Sequence, residues 1–145
     1  MKFTAIFSAL AALSLPWVAL AQSTVKVTYD VYYKNSTFPL ESTACSNGVN
    51  GLVTRGYPTL GSLPTYPNTT GLPGLTWNST LCGTCWTVTY TFSNGTTTEV
   101  TVTAIDAADT FNMSPQAFGY LVGTDNGAGS VEATAVQVAA SECGL

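Results

Sequence analysis

The sequence has no histidine, and only four of its 145 residues are basic: Lys2, Lys26, Lys34 and Arg55. Without an imidazole there is no Ser-His-Asp or Cys-His nucleophile apparatus. A zinc site is also unsupported, because only one close cysteine pair is present and there is no His to complete a ligand set. Four Lys and Arg do not make the positive footprint that binds nucleic acid or an anionic membrane surface. Charged residues of both signs amount to 8% of the chain. Beyond residue 21 there is no long apolar run, no internal repeat and no extended linker. No cofactor and no metal are expected.

What is present begins with a leader pattern. Met1-Lys2 is followed by an apolar and small-residue run from Phe3 to Val18 and then by Ala19-Leu20-Ala21. A charged start, a short apolar segment and a small-x-small site describe a signal peptide. The run is short for a membrane span, which needs about 20 apolar residues, and Pro16 interrupts it. The expected division is a leader over 1–21 and one domain over 22–145, secreted and extracellular, with Gln22 at the new N-terminus. Removing Lys2 leaves three basic against eight acidic residues, a net charge of −5. The polar surface is then made mostly of Thr, Ser, Asn, Gln and Tyr, a chemistry suited to neutral hydroxylated partners such as glycans.

Cys45, Cys82, Cys85 and Cys143 form an even set, which in a secreted chain reads as two disulfides. No thioredoxin-like pattern surrounds the Cys82-Gly83-Thr84-Cys85 run. Four cysteines allow three pairings, and spacing alone does not choose among them.

The periodicity is mainly that of strands. Val25 to Tyr33 begins with alternation and predicts a strand. From Gly48 to Gly74 glycine and proline interrupt any regular element, save one short helix around Pro58–Leu63 with Thr59 or Ser62 near its cap. Trp86 to Phe92 alternates large residues with Thr, Ser93-Asn94-Gly95 is a turn, and Thr97 to Ile105 alternates again, with Val100, Val102 and Ala104 on one face. Ser114 as N-cap, Pro115 at the first position and Gly123 beyond the end predict a helix. Val131 to Val138 predicts a last strand. A mainly β small barrel with one helix and long loops follows.

The remaining acid and base groups are carboxylates. Glycoside hydrolysis needs a pair of them, and Asp30, Asp106 and Asp109 lie at strand ends. On composition alone Asp106 reads as a loop residue accepting backbone hydrogen bonds, and no second carboxylate is singled out. Among the aromatics, Trp86, Phe92 and Phe118 read as core, and Tyr29 and Tyr33 as exposed candidates for stacking on sugar rings. Asn-x-Ser/Thr sequons, candidates for glycosylation, occur at Asn35, Asn68, Asn78 and Asn94, and Asn112-Met113-Ser114 also matches.

Val-Thr-Tyr-Asp at 27–30, Ala-Cys-Ser-Asn-Gly at 44–48, Tyr-Pro-Thr-Leu-Gly at 57–61, Cys-Gly-Thr-Cys-Trp at 82–86, Ile-Asp at 105–106 and Phe-Asn at 111–112, in this order, resemble the cerato-platanin family. So do Ala117-Phe118 with Leu121-Val122-Gly123, and the closing Val-Gln-Val with Cys143. The resemblance covers nearly the whole chain after the leader. It implies a double-psi β-barrel with short helices and long loops, the fold shared with the first domain of expansins, with barwin and with certain endoglucanases. It implies disulfides Cys45–Cys82 and Cys85–Cys143. It implies a secreted fungal protein, associated with the cell wall, that binds chitin or glucan oligosaccharides on a shallow surface. Such a protein loosens wall polymers without hydrolysis, is surface-active as a self-assembling monomer, and is perceived by plant surface receptors as an elicitor. Asp106 matches the family's carboxylate position, and Tyr29, Asp30, Ser46, Asn47, Gly48 and Asn112 match other positions lining that groove. Here Asp106 is followed by Ala107-Ala108, where the family usually has small polar and glycine residues, and Arg55-Gly56 before Tyr57 looks like an insertion. Two other activities stay open on the residues: a weak endoglucanase-type hydrolase, which needs a second acid, and a surfactant coat protein.

Overall fold

In the computed structural model of the chain, residues 21–123 and 127–145 are described. The expected leader, up to residue 20, lies outside the described residues. Six strands close into a barrel in the order β1-β5-β2-β4-β3-β6. They are β1 (Ser23–Tyr29), β2 (Thr69–Leu72), β3 (Cys85–Thr91), β4 (Thr97–Ala107), β5 (Phe111–Met113) and β6 (Val131–Val138). The pairs β1–β5 and β2–β4 are parallel and the other four are antiparallel. This closed, mixed barrel is the double-psi architecture expected from the resemblance, and among the described residues closure leaves no open edge on this sheet.

The hairpin β3–β4 and the strand β6 lie where the sequence alternates, and the two hairpin strands pair in continuous register from Cys85 opposite Thr103 to Thr91 opposite Thr97. Val88, Val100, Val102, Ala133 and Ala135 point into the core. The helix α1 (Pro115–Val122) starts where predicted: the Ser114 side chain accepts from the Ala117 N–H at 3.1 Å, and Gly123 ends it at φ 84°. Ala117, Phe118, Leu121 and Val122 are its buried face.

Several expectations are corrected. The first strand stops at Tyr29, and Val31–Lys34 winds into a 3-10 turn because Asp30 caps it, its Oδ1 accepting from the Tyr32 N–H at 2.9 Å. Within the Gly/Pro-rich stretch, Thr69–Leu72 forms β2, buried at all four residues between β4 and β5. Phe92 is half-buried rather than core and stands edge-on to Tyr90, with ring centroids 4.9 Å apart. Tyr33, expected on the surface, is 4% exposed. Trp86 packs half-buried at the rim of the core, its ring edge-on to Phe111. The short helix near Pro58 is one 3-10 turn, Leu60–Ser62, in which the Ser62 hydroxyl donates to the Thr59 carbonyl.

The two disulfides are Cys45–Cys82 and Cys85–Cys143, and among the described residues no cysteine is free. Cys143 lies in a last 3-10 turn, Ala140–Cys143, that packs on β3 and β4. The second bridge therefore ties the C-terminal end to the start of β3.

Candidate functional site

The end of β4 carries the feature that organises the surface. Thr103, Ala104 and Ile105 are fully buried, and Asp106 is the first half-buried residue after them. Its Oδ1 accepts from the Ala44 N–H and from the Ala107 N–H, each at 2.8 Å, and its Oδ2 accepts from the Tyr33 hydroxyl at 2.9 Å. One carboxylate thus joins the strand end, the 3-10 turn after β1 and the segment that enters Cys45. Hydrogen bonds to an ionised acceptor are shorter and stronger than neutral ones, so Asp106 is the hub of three otherwise separate segments.

Each family-matching position lies on a segment attached to that hub. Tyr29 and Asp30 lead into the turn that carries Tyr33. Ser46, Asn47 and Gly48 follow Ala44 in its loop. Asn112 reaches Asp106 through β2, because Gly71 is paired with Asp106 on one side and with Asn112 on the other. Thr28 lies opposite Asn112 on β1, so Thr28, Asn112, Gly71 and Asp106 run side by side across four strands. Thr28 donates to Asn112 Oδ1 at 2.9 Å. Its single proton is then used, which makes Thr110 the donor in the 2.6 Å bond between the two threonine hydroxyls. A side chain at Gly71 would meet Ala108 Cβ at 2.8 Å. The departure Ala107-Ala108 therefore puts a methyl group against the bare glycine, and this part of the row is filled rather than open.

The roles of these residues differ. Asp30 caps a turn. Gly48 sits at φ 87°, a left-handed conformation that glycine adopts without penalty, and its missing side chain makes room for Asn78. Ser46 is 6% exposed. Asn47 is exposed; its Nδ2 donates to Glu41 Oε1 at 3.2 Å and its Oδ1 accepts from the Trp77 indole N–H at 2.9 Å. Trp77, 61% exposed, is thereby held by one edge. Tyr29, 43% exposed, rests on Phe118 of α1 with ring centroids 5.0 Å apart. Sequence reasoning did not single out Trp77 or pair Tyr33 with Asp106. The Trp lies in a turn-rich stretch with no periodicity to orient it, and the Tyr–Asp contact spans 73 residues.

Burial pushes the Tyr33 hydroxyl well above its ordinary pKa, and the Asp106 charge, its hydrogen bond and the Asp30 charge push the same way. The phenol stays protonated in the folded chain while the unfolded chain ionises near pH 10. The stability contributed by this group is complete below about pH 10 and is lost as pH rises toward the folded value, with a limiting slope of about 1.4 kcal/mol per pH unit. Melting curves at pH 8 to 11 are expected to fall more steeply for the native protein than for Tyr33→Phe. Parallel curves would assign the alkaline loss elsewhere.

Asp106 offers about four lone-pair positions, and three are taken by internal donors. Both positions on Oδ1 are filled, and the one left for a further donor is on Oδ2. Among the described residues no group of three or more Cys, Asp and Glu side chains is placed to hold a metal ion, and no helix there is long and apolar enough to cross a membrane. Of the sequons, Asn35 and Asn94 are exposed, and Asn68, Asn78 and Asn112 are half-buried.

Comparison with known proteins places this geometry. The cerato-platanin family model matches residues 25–145. The heat-stable 19 kDa antigen of Coccidioides posadasii is 37% identical over 150 residues, covering 100% of this chain and 99% of the antigen. Among solved structures, cerato-platanin 2 of M. perniciosa superposes with a TM-score of 0.78 at 37% identity, over 85% of this chain and all of that one. The solution structure of the fungal elicitor cerato-platanin gives a TM-score of 0.70 at 41% identity, over 82% of this chain and 96% of that one. With sequence and barrel in agreement over the whole of the described domain, the chain belongs to the cerato-platanin family.

Proposed function

We propose that the protein is secreted, binds neutral polysaccharide of the chitin or glucan type without cleaving it, and weakens the non-covalent contacts between polymer chains. The observation that carries this reading is a pair of exposed aromatic rings that are nonetheless held in place, Tyr29 on Phe118 and Trp77 by Asn47, on a surface with few charges. A ring fixed before binding loses little further freedom when a sugar stacks on it. The commitment of Asp106 to three internal donors supports binding over hydrolysis. Similarity to a fungal elicitor supports perception by plant surface receptors as a further role.

The test is titration of N-acetylglucosamine oligomers against isotope-labelled protein, followed by NMR, beside a reducing-sugar assay. Shifts confined to the Tyr29 and Asn47 segments are expected, with little dependence on salt because few charges take part. Tyr29→Ala is expected to weaken binding about tenfold, equivalent to about 1.4 kcal/mol. Unchanged spectra on titration, or sugar released in proportion to protein, would overturn the reading.

A second activity has its own observation. Val31, Tyr32, Val49 and Tyr120 are more than half exposed, Val49 at 84%. Large apolar side chains on a weakly charged surface favour adsorption at interfaces, so the protein is also proposed to be surface-active and to self-assemble there. Surface tension against concentration tests this directly.

A further inference from the structure

The five Asn-x-Ser/Thr triplets differ in what their side chains hold. Asn35 Oδ1 accepts from the Thr37 N–H at 3.0 Å and from the Thr37 hydroxyl at 2.9 Å. Asn94 repeats the arrangement, accepting from the Thr96 N–H at 3.0 Å and the Thr96 hydroxyl at 2.7 Å. Both asparagines are exposed. Each turn closes inside its own triplet and can re-form in an otherwise unfolded chain.

The other three are wired into the barrel. The Asn68 carbonyl accepts from the Thr103 N–H, and the third residue of its triplet, Thr70, is fully buried with its hydroxyl on the Gly71 carbonyl. Asn78 has φ 56°, its Oδ1 accepts from the Asn50 N–H at 2.9 Å, its carbonyl accepts from Asn50 Nδ2 at 2.8 Å, and its side chain fills the space beside Gly48. Asn112 bonds Thr28, and Ser114 of its triplet is the buried cap of α1.

We propose that the chain is N-glycosylated at Asn35 and Asn94 and at none of the other three sequons. The step joins Asn Nδ2 to C1 of an oligosaccharide carried on a lipid pyrophosphate. The bond from C1 to the pyrophosphate oxygen breaks, the lipid pyrophosphate leaves with the electron pair, and one Nδ2 proton passes to a base of the membrane transferase. The new bond is to Nδ2, so the Oδ1 bonds that make both turns survive it. A glycan is bulky and must stand in solvent, which these two side chains permit and the other three do not. Asn94 lies in the loop between β3 and β4. The strand from Thr97 to Asp106 is nine steps long, so that glycan stands about 30 Å from Asp106. Asn35 borders the open groove formed with Lys34, Pro115 and Gln116, and its glycan covers that groove.

This rests on the proposed passage through the secretory membrane, and the experiment separates the two. The full chain is expressed in yeast, recovered from medium and cells, treated with peptide N-glycosidase in heavy-oxygen water, and mapped by mass spectrometry beside its N-terminal sequence. Conversion to labelled Asp is expected at positions 35 and 94 alone, and Asn35→Gln and Asn94→Gln should each remove one glycan. A chain that has lost its leader but is unmodified at either position, or modified at Asn68, Asn78 or Asn112, overturns this assignment and leaves secretion standing. A chain that keeps residues 1–21 and carries no glycan overturns both.

Discussion

Replacing Cys85 and Cys143 together by alanine is expected to lower the unfolding free energy by about 4 kcal/mol, the chain-entropy value for a loop of this length. The bridge spans 58 residues and the Cys45–Cys82 bridge 37. Because the entropy depends on the logarithm of loop length, the two differ by only about 0.4 kcal/mol in that estimate. What separates them is location. Cys85–Cys143 pins the final turn to β3 and β4 and touches none of the segments that donate to Asp106 from outside β4. Cys45–Cys82 fixes the residue next to Ala44, whose N–H donates to Asp106. Urea unfolding should therefore show similar losses for the two double alanine variants, while oligosaccharide titration in the folded state should separate them. Binding is expected to persist without Cys85–Cys143 and to weaken without Cys45–Cys82. A loss under about 1 kcal/mol for either pair would mean that the unfolded chain is already restricted without the bridge.

The parts of the fold legible in the sequence are those that bury one face. In β6 and the first half of β4 a period of two separates core from solvent, β3 carries the same alternation of large residues with Thr in its sequence, and α1 has a capping Ser, a first-turn Pro and a closing Gly. Strand β2 is buried on both faces, so it has no alternation, and it hides among glycines and prolines that mark turns elsewhere. Strand β5 has three residues, too few for a period. The strand expected through Tyr33 fails at a single local bond, the Asp30 side chain on the Tyr32 N–H, which competes with the ladder as short polar side chains do. The disulfide pairing was legible only through family resemblance, since the residues alone left three choices.

Part of the candidate site's geometry was legible in a similar way. Motif matching found Asp106, Asn112 and the 44–48 loop, and the structure shows them on segments that meet at one carboxylate. The donors to that carboxylate were hidden. A backbone N–H at Ala44 has no signature in sequence, and Tyr33 follows another tyrosine with nothing to say which one turns inward. Tyr32 is 68% exposed and Tyr33 4%; the 3-10 turn decides between them.

Asp106→Ala is expected to destabilise the fold by about 2–6 kcal/mol, because two donors from distant segments, the Ala44 N–H and the Tyr33 hydroxyl, lose their partner at about 1–3 kcal/mol each. Asp106→Asn should cost less, about 1–3 kcal/mol. The amide oxygen can still accept from Ala44 and Ala107, and the amide nitrogen can donate to the Tyr33 oxygen, but the charge assistance is lost and the Tyr33 proton must find another acceptor. A carboxylate acting only on sugar hydroxyls would behave differently: both variants would melt like the native protein and lose binding. Denaturant unfolding and oligosaccharide titration on the same two variants separate these outcomes, and Tyr33→Phe sharpens the comparison. If Asp106 works as the hub, then in the Tyr33→Phe background Asp106→Asn costs less than it does alone, because the two changes remove one shared hydrogen bond. If the costs simply add, the Tyr33–Asp106 bond carries no weight and the carboxylate is held by Ala44 and Ala107 alone.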